Sequence, residues 1–210
     1  LFIFSIIDYQ RFNNKLESHG IATLINPNYF YNLITMSIWA ISSELYAIYA
    51  LEVLTLESYT RVNQYIRISL IFVSVAAVIS NINWNEYHNK ISKIDRLFLK
   101  PMNIVIFCPI IFILIKFFAR DFSLIEVSIL SLYSFFSMQT LHLSQLSARF
   151  SMSNLLLISA FFELTVLFIG LNILNDHLFL LINSLMIQVI KYFFLRRFGY
   201  VRLKENNTVD

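Results

Sequence analysis

The stretch SNLLLISAFFELTVLFIGLNIL, residues 153–174, limits what this chain can fold into more than any other. It is 22 residues long and almost wholly apolar, with one ionisable group, Glu163, near its middle. As an α-helix rising about 1.5 Å per residue, it matches the roughly 30 Å hydrocarbon core of a bilayer. A carboxylate at mid-depth costs about 2.5–3.5 kcal/mol on insertion scales, so Glu163 is expected to face protein or a wet cavity. Other helices must then surround it.

The composition supplies them. Of 210 residues, 58% are hydrophobic and 14% charged, where a soluble domain carries about 25% charge. The apolar runs are continuous and lack the period-two alternation of membrane barrel strands. Helices are then the remaining way to satisfy backbone groups in lipid. The expected fold class is all-α: a polytopic transmembrane bundle of six full spans, preceded by the end of another. The single Cys108 lies in an apolar run and reads as a packing residue. The net charge of +3 is spread between apolar segments, which bears on topology and suggests no nucleic-acid partner.

The chain divides into the end of a preceding helix (1–7), a cytoplasmic loop (8–28), a six-helix membrane bundle (29–195) and a cytoplasmic tail (196–210). The opening LFIFSII reads as the last turns of a helix, so the chain is expected to be the C-terminal part of a longer membrane protein. The spans are placed at 29–51, 61–80, 97–118 (with Pro101 and Pro109 inside), 122–143, 153–174 and 177–195. Between the second and third lies the polar, basic segment 81–100. There Ile91, Ile94, Leu97 and Phe98 recur at helical spacing, as in a helix lying along the membrane surface. Alternating spans put twelve of the sixteen Lys and Arg on one side, which the positive-inside rule makes cytoplasmic.

No glycine pattern for a nucleotide is present, and the four histidines have no metal-ligand spacing, so neither cofactor nor metal is expected. No catalytic motif beside a sizeable loop suggests an enzyme. The candidates are intramembrane polar groups. Glu163 shares its helix face with Ser159 and Gly170, and Glu44 shares one with Ser37, Ala40 and Ala47. Arg67 lies nearly two turns inside the second span, where it can snorkel or face inward. Gln139, His142, Gln145 and Arg149 fall on one face of the fourth, either as a gate for an anionic substrate or as a solvated extension. Glu126, Lys116 and Lys191 lie near the interfaces and read as snorkelling or topology residues.

The arrangement resembles the C-terminal half of polysaccharide (O-antigen type) flippases of the multidrug/oligosaccharidyl-lipid/polysaccharide exporter superfamily. The resemblance is carried by six spans after a cytoplasmic loop. It is also carried by the turn from Leu54 through Glu57 and Tyr59 to Tyr65, and by the segment from Trp84 and Tyr87 through Lys93 to Leu97. The family's usual glycine in that turn is replaced here by Ser58 or a neighbour. The resemblance implies a non-enzymatic transporter in a bacterial inner membrane, with its C-terminus cytoplasmic. Its partners would be a lipid-linked oligosaccharide, the lipid bilayer and an N-terminal half of the same protein. The rivals are a drug/cation antiporter of that superfamily and a membrane enzyme such as a polysaccharide polymerase.

Overall fold

The computed structural model describes residues 54–86, 102–150, 152–173 and 176–201, with residues 34, 37, 38, 48, 50–52, 95, 99 and 100 besides. Among these the chain is all-helical. Five α-helices follow in order: α1 (Leu56–Glu86), α2 (Asn103–Phe118), α3 (Leu124–Arg149), α4 (Ser153–Ile173) and α5 (His177–Leu195). A π-helical turn, Arg196–Val201, continues α5. Among the described residues three stretches are long and apolar enough to cross a membrane, Leu56–Val78, Leu124–Ala148 and His177–Tyr200. In α2 and α4 the apolar stretches are shorter, Asn103–Phe118 and Asn154–Gly170.

The expected third span is the one most altered. It begins at Asn103 rather than near residue 97, and Pro101 falls before the helix, outside the described residues. A residue preceding proline avoids helical angles, which favours a start beyond it. Pro109 does lie inside α2, on its exposed side, with no N–H to give the Val105 carbonyl. The second span runs on instead, through 81–86 to Glu86. That polar stretch has no Gly or Pro to stop it, and outside hydrocarbon a polar helix costs little. The expected first span, 29–51, lies almost wholly outside the described residues.

α3 is the centre, touching all four other helices. Of its span 56% is buried, against 22% for that of α1. Its start is fixed by a capping box: Ser123 Oγ accepts from the Glu126 amide and Glu126 Oε2 from the Ser123 amide. Asp176 caps α5 through the Leu178 amide. The largest apolar cluster joins Tyr65, Ile111, Ile115, Phe122, Leu130, Phe135 and Leu181, from α1, α2, α3, α5 and the turn before α3. A second cluster, with Leu99, Leu143, Leu146, Leu156, Tyr192 and Leu195, closes the opposite end. The helices therefore alternate in direction.

Candidate functional site

Polar side chains interrupt this apolar bundle at three levels along α3. At the middle, Lys191 of α5 donates to Glu163 Oε2 of α4 at 2.6 Å. Gln188, one turn before Lys191, donates to Glu163 Oε1 at 3.2 Å. Thr140 Oγ1 of α3 donates in turn to Gln188 Oε1 at 2.7 Å. Three helices are thus joined by one chain of hydrogen bonds ending on an ion pair. The Lys191 side chain is 1% exposed and that of Glu163 20%, so the carboxylate is the accessible end. Lys191 does not snorkel as expected. An ammonium less than a turn beyond Gln188 gains more from a carboxylate at contact than from reaching for the interface.

At the end where α3 begins, Glu126 is 7% exposed and gathers three helices. Tyr65 Oη of α1 donates to its Oε1 at 2.5 Å. Arg61 Nε lies 3.7 Å and His177 Nε2 3.9 Å from the same oxygen. Arg61 also donates to Asp121 Oδ2 at 2.6 Å and stacks over the Phe122 ring. That hydrogen bond holds the exposed Asp121 carboxyl below its usual range. Lys116 Nζ ties the turn by donating to the carbonyls of Phe122 and Arg120. Glu126 is therefore a buried junction at the end of the bundle, and it does not snorkel.

Toward the other end of α3, His142 Nε2 stands 3.0 Å from Asp95 Oδ1, both side chains almost fully buried. Gln139 is buried beside them in sequence and Gln145 half-buried, so this face is packed rather than a solvated extension. Asp95 is a residue the sequence hides, since it stands in a run of charges that reads as surface. The hydroxyls of Ser134, Ser137 and Ser144 and the Gln145 carbonyl are buried without a hydrogen-bond partner among the described residues. Together these groups make a polar seam down an otherwise apolar core.

Of the candidate residues, Glu163 and His142 lie on this seam, at separate levels. Arg67 does not: it is exposed on α1, away from α3. Arg149 is the last residue of α3, its side chain outside those described, and Glu44 lies outside the described residues altogether. Gly170 meets a helix rather than water. A Cβ there would stand 2.1 Å from Asn183 Nδ2 of α5. Among the described residues no group of three His, Cys, Asp or Glu is placed to hold a metal ion.

No family model, curated protein or solved structure matches this chain. What the fold and the seam define is a class: a protein that is all-helical among the described residues, with three helices there fit to cross a membrane and ionisable groups paired in the interior.

Proposed function

We propose that the chain is part of a membrane transporter of the flippase type, moving a polyprenyl-pyrophosphate-linked oligosaccharide outward across a bacterial inner membrane. The observation that carries this reading is the polar seam, with Thr140, Gln188, Lys191 and Glu163 hydrogen-bonded between three helices at mid-span. Ionisable groups are costly there and mark functional interiors more often than scaffolds. A sugar headgroup cannot cross hydrocarbon unaided, and helices that move past one another around a polar interior offer it a path. In this reading all six spans cross. α4, at about 31 Å, matches the bilayer, and α2, at about 24 Å, is accommodated by local thinning. The N-terminal half of such a transporter completes the cavity.

Loss of the gene is expected to abolish surface polysaccharide while its lipid-linked repeat units accumulate on the cytoplasmic face. Single repeat units still reaching the surface would instead assign a polymerase. Unchanged glycan with altered drug sensitivity would assign the antiporter.

A further inference from the structure

The outward side of α5 carries a continuous apolar stripe that ends on a charge. Phe179, Ile182, Met186, Ile190 and Phe193 recur at steps of three and four, each exposed, and the next step falls on Arg197, exposed as well. The opposite side of the helix is closed into the bundle through Leu181, Ile187, Gln188, Lys191 and Leu195. From His177 to Arg196 the axis runs about 28 Å at 1.5 Å per residue, close to the roughly 30 Å of a hydrocarbon core. With α5 across the membrane the stripe faces acyl chains, and Arg197 stands where the headgroups begin. Exposed Phe198 and half-buried Tyr200 flank it, as aromatic side chains do at that level.

The two arginines of the π-helical turn differ. Arg196 is half-buried: its guanidinium donates to Tyr192 Oη and lies over the Tyr192 ring. Arg197 has no partner among the described residues, and no Asp or Glu stands in the sequence between Asp176 and Glu205. Glu163, the acid that faces α5 from inside the bundle, is taken by Lys191. The turn itself is held in place. Gly199 packs on α3, where an added Cβ would stand 3.1 Å from Ser147 Oγ, and Leu195 and Tyr200 join the cluster that closes this end. Arg197 is thus an unmatched cation on a fixed turn, at the end of a lipid-facing stripe. We propose that α5 and its π-helical turn form a site for one anionic phospholipid, with the phosphate on Arg197 and an acyl chain along Phe193, Ile190 and Met186. A guanidinium offers paired donors to two phosphate oxygens, and its charge favours a headgroup of net negative charge over a zwitterionic one. The site requires only that α5 crosses the membrane, and it is independent of the transport reading.

In the full-length protein, with its native tryptophans replaced by Phe, a single tryptophan is introduced as Phe193→Trp or as Val105→Trp. Val105 is exposed near the same end of the bundle, at the start of α2. Each variant is reconstituted into phosphatidylcholine vesicles containing brominated phosphatidylglycerol or, in parallel, brominated phosphatidylcholine, and quenching is compared at equal mole fractions. Phe193→Trp is expected to favour phosphatidylglycerol about fivefold, the effect of one basic contact, and Val105→Trp less than about twofold. Adding Arg197→Gln should bring the Phe193→Trp preference down to that of Val105→Trp and, because Arg197 is exposed, leave the unfolding midpoint in place. Lys100→Gln removes another exposed cation at this end and should leave the preference intact. If neither brominated lipid quenches Phe193→Trp, protein covers the stripe and the site is overturned. A preference that is equal for the two tryptophan variants, that survives Arg197→Gln, or that falls as far in Lys100→Gln is a diffuse surface charge, and overturns it as well.

Discussion

Lys191 depends on Glu163 more than the reverse, because the ammonium is enclosed and the carboxylate is partly open. Removing the carboxylate leaves a buried charge unpaired, which costs about 3–5 kcal/mol. Glu163→Gln is therefore expected to lower the unfolding midpoint in detergent, and Glu163→Gln/Lys191→Met to recover most of the loss. A double variant no more stable than Glu163→Gln alone would refute the pairing. The single substitution is then a poor test of transport by itself, since it confounds function with folding; the double variant separates them. Asp121 shows the opposite, exposed case. Arg61 lowers its folded-state pKa, so its contribution is present above the ordinary carboxylate value and is lost as pH falls through the depressed one. Because the pair is solvated, Asp121→Asn should lower the unfolding midpoint at neutral pH by only a small margin, the same margin that wild type loses on acidification. It should flatten the acid side of the midpoint curve between about pH 2 and 5, and salt should shrink the difference. An unchanged acid slope would remove Asp121 from that account. Glu163 was legible in the sequence because a lone acid in an apolar run has no other explanation. Its partner was not, because a lysine near a helix end looks the same whether it turns outward or inward.

Whole helices were legible where apolar length alone decides them. α1, α3 and α5 follow from their runs, but the sequence gives no sign that α3 is central, since Ser131, Ser134, Ser137, Thr140 and His142 lower its apolarity. Those polar residues are what a central helix can carry, because neighbours on all sides shield them from lipid. The contact of α4 with α5 tests how closely such helices must approach. Gly170 faces Asn183, whose Nδ2 lies 3.5 Å from the Val166 carbonyl. In Gly170→Ala the new methyl displaces the Asn183 side chain, an overpacking that costs about 1–3 kcal/mol. Asn183→Ala in the same chain makes room and is expected to restore the unfolding midpoint. Equal midpoints for wild type and Gly170→Ala would mean that the two helices have slack at this level.

At the scale of the molecule, the ends of the helices carry the topology. Arg61, Asp121, Glu126 and His177 meet at one end, and Leu99, Leu143, Leu156 and Leu195 at the other. One of the sixteen basic residues no longer belongs to a loop: Lys191 is paired inside the bundle. Setting it aside leaves eleven basic residues against four, so the bias is untouched. The end that holds the Glu126 junction is the poor side, where Arg61 is engaged by a carboxylate and Lys116 by carbonyls. By the positive-inside rule that end is expected outside, and the C-terminus in the cytoplasm. Cysteines at Asn89 and Asn175, in the full-length protein without Cys108, test this directly. An impermeant reagent added to intact spheroplasts should label Asn175→Cys, and should label Asn89→Cys only after lysis. Labelling of both from the same side would break the alternation of spans between residues 89 and 175. The reverse pattern would keep the bundle and invert it, placing the Glu126 junction against the cytoplasm.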